Sequence, residues 1–209
     1  MPRTKEAFEE MRATTRQKIK EATLSLVARK GVSIKIEEIA ISAGVSKGLL
    51  YNHYTSKEVL ITELAQEVAM SSRKNINQIL TSDTFASEKI KRITNLVYDM
   101  LLSKDNNGAN YFMFMTQVGM SGFSMEKLNS LSLPHSIEII AQIVEVGQSE
   151  GSVVEGDPLQ LAITYWSAIQ GLGCHMVMGI PLKIEPGMLL RILLKNDNEV
   201  FTCASKTNI

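Results

Sequence analysis

The sequence has little cysteine and lacks the short motifs on which many catalytic and metal sites depend. Only two of its 209 residues are cysteines, Cys174 and Cys203. They form no C-x-x-C pair, which excludes a disulfide framework and fits a reducing cytoplasm. The sequence contains no H-E-x-x-H, no phosphate-binding glycine loop, no G-x-S-x-G and no Cys/His set at metal spacing. We therefore expect a protein that is not an enzyme and that carries no cofactor and no metal.

A secretory signal is also missing, and the one long uncharged run makes a poor membrane span. Residues 1–6 are polar, unlike the start of a signal peptide. Residues 158–182 contain no Asp, Glu, Lys or Arg and exceed the roughly 20 residues that cross a bilayer. Polar side chains recur along this run, however, and no Lys or Arg cluster precedes it. We expect a cytoplasmic protein without membrane contact, in which this run is a helix buried between protein surfaces.

Neither sign of charge is in excess overall, but the charge is unevenly placed. Residues 1–60 carry eleven Lys and Arg against seven Asp and Glu, a net +4, and residues 61–209 carry eleven against fifteen, a net −4. A basic N-terminal part indicates a segment that binds a polyanion, because each neutralised phosphate releases condensed counterions. The alternative is an ordinary solvated face.

Apolar residues recur at helical spacing along nearly the whole chain, as at Ile90, Ile93 and Val97. No segment alternates convincingly like a strand, so we expect an all-α fold of about eight to ten helices. The first helix should run from about residue 15 to Lys30, where Gly31 ends it. Residues 1–13 are treated as an arm that either extends this helix or frays. Later helices are expected near residues 63–80, 87–103, 110–120, 134–150, 158–178 and 186–195.

Residues 36–54 predict two short helices around a tight turn. Ile39 and Ala40 give the first helix an inward face, and Gly44 supplies a left-handed turn residue. Ser46 stands where its hydroxyl can cap the second helix. Leu50 then faces inward, which turns its neighbours outward, as in a helix-turn-helix that reads the major groove of DNA.

The outward residues of the second helix have the chemistry of DNA contacts. Lys47 suits guanine, Asn52 suits adenine, and Leu49 suits a thymine methyl group. Gly48 permits a close approach of the backbone. Three further residues suit phosphate oxygens: Tyr51, His53 and Lys57. The predicted DNA-binding residues are thus Ser46, Lys47, Gly48, Leu49, Tyr51, Asn52, His53 and Lys57.

This stretch resembles the TetR family of transcriptional regulators over roughly residues 14–62. The resemblance lies in Ile39-Ala40, in Ala43 to Gly48, in Leu50 to Tyr54 and in Ser56-Lys57-Glu58 with Leu60. Two features depart from the family pattern. The connection from Gly31 to Ile39 is one residue short, and Lys35 stands where a Thr or Ser cap is usual, so Ser33 is a candidate cap instead.

The resemblance implies an N-terminal three-helix head with the helix-turn-helix on a larger helical body that binds a ligand and dimerises. The implied domains are an arm at residues 1–13, a DNA-binding domain at 14–57, and a ligand-sensing and dimerisation domain at 58–209. The expected function is that of a repressor, which binds a palindromic double-stranded DNA operator as a homodimer and is released by a small apolar or amphipathic effector. The alternative is a helical protein-interaction adaptor that has lost DNA binding.

The uncharged run at residues 158–182 is expected to form part of the dimer interface. Small residues there permit close helix approach, and aromatic residues supply buried area. The other interpretation is a central core helix of a single chain. The predicted interface residues are Tyr165, Trp166, Ala168, Gly171, Gly173 and Leu190.

Aromatic and methionine residues concentrate at residues 111–125, where flexible thioethers suit a pocket for apolar molecules. An ordinary core explains such a cluster equally well. The predicted pocket residues, including polar anchors nearby, are Tyr98, Tyr111, Met113, Phe114, Gln117 and His175.

Overall fold

The computed structural model describes residues 5–103, 107–121, 136–180 and 184–195. In these ranges the regular structure is helical, and the only β pairing is an isolated bridge between Val153 and Leu194. The all-α prediction is therefore confirmed. The helices are α1 (Lys5–Lys30), α2 (Ile36–Ala43), α3 (Lys47–His53), α4 (Lys57–Leu80), α5 (Ala86–Leu101), α6 (Asn107–Met120), α7 (Ser136–Ser149), α8 (Pro158–Val177) and α9 (Pro186–Leu190).

Several helix bounds differ from those predicted. Helix α1 begins at Lys5, so the described part of the predicted arm extends the first helix. Helix α4 begins at Lys57, directly after Ser56, which caps it by accepting a hydrogen bond from the Val59 N–H at 3.2 Å; residues 57–62 thus extend the helix expected near residues 63–80. Helix α9 stops at Leu190, after which the chain turns and Val154 N–H donates to the Leu193 carbonyl at 2.9 Å.

The chain forms two compact units. The head unit comprises Met1–Ser71 and Asn110–Ser132, and the body unit comprises Ser72–Ala109 and Leu133–Ile209. Helices α4 and α6 each contribute to both units. The functional boundary after residue 57 remains a prediction.

The head unit encloses a hydrophobic core to which α1, α2, α3, α4 and α6 all contribute. Ile19 and Val27 come from α1, Ile39 from α2 and Leu50 from α3, and all four are fully buried. Phe114 of α6 lies in the same core and is also fully buried. At about 1.5–3 kcal/mol per large apolar side chain, this burial is what fixes the helix-turn-helix on its support.

The body unit is held by apolar packing and by a few buried polar contacts. The Tyr165 hydroxyl of α8 lies 2.8 Å from the Thr94 hydroxyl of α5, and both residues are fully buried. Helices α5 and α6 approach so closely that a Cβ on Gly108 would lie 1.7 Å from the Met100 carbonyl oxygen. Gly108 lies in the first turn of α6, and a larger residue would fit there only if the neighbouring backbone shifted.

No helix within the described ranges is both long and apolar enough to span a membrane.

Candidate nucleic-acid interface

The turn between α2 and α3 has the geometry that the sequence predicted. Gly44 adopts φ +66°, in the left-handed region that favours glycine. The Val45 N–H donates to the Ala40 carbonyl at 3.0 Å, closing the end of α2. Ile39 and Ala40 are buried on α2, and Leu50 is buried on α3. The two helices are thus fixed by one glycine turn and a shared apolar seam.

The start of α2 is capped differently from the expectation. Lys35 precedes the helix in an extended conformation, and the Glu38 carboxylate reaches back to accept its N–H at 2.9 Å. Ser33 is therefore not the cap, and that alternative is corrected. Glu38 also accepts a hydrogen bond from Lys30 Nζ at 2.7 Å. The Glu38 carboxylate thus connects the end of α1 to the start of α2. It also satisfies the Lys35 N–H, which the side chain of a residue at position 35 would not reach.

Helix α3 presents a row of exposed side chains above its buried Leu50. The Ser46 hydroxyl caps the helix by accepting from the Leu49 N–H at 3.1 Å. Leu49 is 40% exposed and Tyr51 is 44% exposed. The other outward members of the predicted set are Lys47, Gly48 and Asn52. A large apolar and an aromatic side chain left this exposed side by side are typical of a contact surface.

Lys47 is held by two neighbours on this surface. Its ammonium group forms an ion pair with the Glu37 carboxylate of α2 and lies 6.0 Å from the centre of the Tyr51 ring. The hydrogen bond from Lys47 lowers the pKa of Glu37, and the same bond raises the pKa of Lys47. Both groups therefore stay charged throughout the physiological range.

The last residue of α3, His53, is less exposed than the other predicted contacts on this helix. His53 is half-buried, and its Nδ1 atom has no hydrogen-bond partner among the described residues. Burial lowers the pKa of His53, and the cations Arg12 and Arg16 of α1 lower it further. The Arg16 guanidinium also lies 4.9 Å from the ring centre of Tyr54 and pairs with Glu63. His53 is thus placed at the junction of α1 and α3, and its contact with DNA remains a prediction.

Lys57 has a structural task that the sequence did not show. Its ammonium group donates to the carbonyl oxygens of Val32 and Ile34, at 3.0 and 2.9 Å. Two of its three hydrogens are therefore engaged with the connection between α1 and α2, and one remains for a phosphate. No sequence motif displays this role, because the two carbonyl groups lie 23 and 25 positions before Lys57.

A cleft of about 340 Å³ lies beside Lys57 in the head unit. It is lined by the start of α2, by Tyr51 of α3 and by the start of α4, that is by residues 33–37, Tyr51 and residues 55–58. Exposed backbone N–H groups at helix starts favour anions. Lys35 was not among the predicted contacts, yet it stands on this cleft beside Tyr51.

The residues predicted to line a ligand pocket fall into both units. Phe114 is part of the hydrophobic core of the head unit, with Tyr111 packed against it. Met113 and Gln117 also belong to the head unit, whereas Tyr98 and His175 belong to the body unit. His175 is exposed, and its Nδ1 lies 2.7 Å from the Gly171 carbonyl oxygen of its own helix. Their common role in ligand binding stays a prediction.

The residues predicted for a dimer interface face two directions. Tyr165 and Gly173 point into the interior of the body unit. Four others are partly exposed: Trp166, Ala168, Gly171 and Leu190. Three large apolar side chains that the prediction omitted are more exposed: Leu159 at 49%, Ile163 at 44% and Met188 at 58%. The spacing of Leu159, Ile163 and Trp166 along α8 was the available signal.

No group of three His, Cys, Asp or Glu side chains that could hold a metal ion occurs in the described part of the chain.

The fold and this surface define a class: an all-helical protein with a helix-turn-helix in an N-terminal head unit. Residues 19–64 match the family model of the bacterial regulatory proteins of the tetR family. Over these residues the helix-turn-helix head is therefore similar to the DNA-binding part of the tetR-family regulators. No curated protein is significantly similar to the chain in sequence.

Solved structures share the fold over most of the chain. A tetR-family regulatory protein from Rhodococcus RHA1 has a TM-score of 0.62 at 21% identity, covering 88% of this chain and 98% of its own. A putative transcriptional regulator from Saccharomonospora viridis, solved with choline, has a TM-score of 0.60 at 20% identity, covering 87% and 98%. NalD of Pseudomonas aeruginosa, the secondary repressor of the MexAB-OprM multidrug efflux pump, has a TM-score of 0.56 at 20% identity, covering 88% and 99%. At these identities the similarity shows the fold.

Proposed function

We propose that this protein is a transcriptional repressor that binds a palindromic DNA operator as a homodimer and leaves it when a small molecule binds. The observation that carries the proposal is helix α3, which is capped by Ser46, anchored by Leu50 and exposed along its remaining length. Such a helix fits the major groove of B-DNA. A regulator of this kind acts in the cytoplasm, where bacterial DNA lies.

The exposed residues divide by the DNA groups that they suit. Lys47 donates to guanine, Asn52 pairs with adenine, and Leu49 contacts a thymine methyl group. Tyr51 and the remaining hydrogen of Lys57 suit phosphates, and both residues line the cleft between the starts of α2 and α4. Phosphates in that cleft would position the head unit, and α3 would read the sequence.

The exposed apolar residues of α8 and α9 support a homodimer. Leu159, Ile163 and Met188 are large apolar residues left 44–58% exposed in the body unit. Large apolar residues exposed on neighbouring helices are typical of interaction sites, and a two-fold dimer places two recognition helices on two half-sites.

A small-molecule effector is supported by two proteins of similar fold. The Saccharomonospora viridis regulator was solved with choline, and NalD is a repressor of a multidrug efflux pump. For this chain we propose an apolar or amphipathic effector that binds the body and biases the position of the head. The coupling between two such sites is typically about 1–3 kcal/mol.

The decisive experiment is selection of bound fragments from genomic DNA with the purified protein. We expect enrichment of a palindromic site, and Asn52→Ala should weaken binding to that site by tenfold or more, since a bidentate base contact contributes roughly 1–3 kcal/mol. Asn95→Ala is the matched control, because Asn95 is exposed on α5 of the body unit. Enrichment of no sequence, with no salt-dependent DNA affinity, would favour the adaptor instead.

A further inference from the structure

An acidic side chain stands on the surface that would face DNA. Glu37 lies on α2, lines the cleft next to Tyr51 and Lys57, and pairs with Lys47, the first residue of α3. The Glu37 side chain is 49% exposed and that of Lys47 is 52% exposed, so the pair is accessible to a ligand. A carboxylate here opposes the approach of a polyanion, so its presence calls for a reason.

Both carboxylates lie in the first turn of α2, where negative charge is favoured, but only Glu38 also connects α2 to α1. Glu38 caps the Lys35 N–H and pairs with Lys30, so it holds α1 and α2 together. The side-chain partner of Glu37 is instead a residue of the recognition helix. The ion pair therefore restrains the one cation at the start of α3, where a phosphate or a base would be met.

We propose that Glu37 is a specificity-determining residue that weakens binding to non-specific DNA more than binding to the operator. This inference rests on the proposed function. Non-specific binding depends on phosphate contacts alone. A phosphate that Lys47 contacts stands beside the Glu37 carboxylate, which has the same sign of charge, whereas guanine O6 and N7 are neutral acceptors.

The Glu37 carboxylate opposes a contact between Lys47 and a base less than it opposes a contact between Lys47 and a phosphate. An ammonium group has three donor hydrogens, so Lys47 can keep one on Glu37 and direct the others to guanine O6 and N7. The carboxylate itself accepts from a cytosine N4 amino group. At a site with suitable bases the ion pair stays intact and positions Lys47. The Glu37 carboxylate thus disfavours non-specific DNA more than the operator, and a repulsive group of this kind produces specificity.

The test compares Glu37→Gln with wild type on two duplexes of equal length, the enriched fragment from the genomic selection and a scrambled version of it. Because an exposed pair contributes modestly, affinity for the scrambled duplex should rise roughly threefold to fivefold. The slope of log affinity against log salt should steepen by about 0.9, as for one further phosphate contact. Affinity for the enriched fragment should change less, so the ratio of the two affinities falls.

Two further variants separate this mechanism from a general change of charge. Glu38→Gln removes the same charge one residue away and should leave the ratio nearly unchanged. In a Lys47→Met background, Glu37→Gln should lose its effect on the ratio. Circular dichroism and thermal unfolding check that each variant folds.

Three results would count against the inference. An equal rise with Glu38→Gln, an unchanged ratio with Glu37→Gln, or an effect that persists without Lys47 would each overturn it and leave the proposed function standing. If wild type binds neither duplex, the proposed function fails, and the inference fails with it.

Discussion

The ammonium group of Lys57 donates a hydrogen bond to the carbonyl oxygen of Ile34 at 2.9 Å, and Ile34 is buried in the core of the head unit. The first residue of α4 is thereby tied to the connection between α1 and α2. A second bond to the Val32 carbonyl at 3.0 Å strengthens the tie. Lys57, which the sequence predicts to contact DNA, therefore also stabilises the fold. Its substitution should affect both the stability of the protein and its binding to DNA.

Lys57→Met should destabilise the protein as well as weaken DNA binding. It removes the donor for two carbonyl groups, and a lost hydrogen bond of this kind typically costs about 1–3 kcal/mol. Urea unfolding should show a lower midpoint than wild type, whereas Lys47→Met, at an exposed position, should unfold like wild type. An unchanged midpoint for Lys57→Met together with weaker DNA binding would mean that the residue acts on phosphate alone.

His53 should make the stability of the protein depend on pH. Burial, aided by Arg12 and Arg16, lowers the pKa of His53 in the folded state below its ordinary value of about 6.5. The unfolded chain then binds the proton more tightly, so this stability is fully present above about pH 6.5 and is lost as the pH falls towards the lowered folded pKa.

Replacing His53 with Gln should therefore reduce the loss of thermal stability between about pH 7.5 and about pH 5.5. The carboxylates that pair in the head unit, such as Glu63, have a lowered pKa and titrate below this window. His175→Gln, at an exposed position, is the control. An equal pH dependence in wild type and His53→Gln would refute the assignment.

Ile163→Glu should convert a homodimer to a monomer. Ile163 is 44% exposed on α8, so a charge is tolerated in the separate chain but is desolvated in an interface. Analytical ultracentrifugation would measure the change of mass. Ile41→Glu is the matched control, because Ile41 is 79% exposed on α2. A variant at position 163 that still sediments as a dimer would place the interface elsewhere.

Gly108→Ala should destabilise the body unit severely, because the new Cβ would lie 1.7 Å from the Met100 carbonyl oxygen and α5 and α6 would have to separate. Overpacking of this kind typically costs about 1–3 kcal/mol. Gly119→Ala, on the same helix with nothing within 4 Å of the added atom, should be neutral or stabilising by up to about 1 kcal/mol. Thermal unfolding of the pair measures the difference, and equal stability of the two variants would disprove the close approach.

Local chemistry made the helix-turn-helix predictable. The turn at Gly44, the cap at Ser46 and the inward position of Leu50 depend on residues within a few positions of one another. Helical periodicity likewise specified the all-α fold and the approximate helix positions, because an amphipathic helix carries its period in its own sequence.

The tertiary structure alone decided which polar groups meet. Lys47 pairs with Glu37 ten positions away, Lys57 reaches carbonyls more than twenty positions back, and Thr94 meets Tyr165 across the body unit. It also buried Phe114 in the head unit and Tyr165 in the body unit. The sequence by itself determined what each helix is and which residues on α3 face outward. The packing of the helices decides which side chains meet. An apolar or aromatic side chain can serve in a core, a pocket or an interface, and its own sequence neighbourhood does not distinguish these three places.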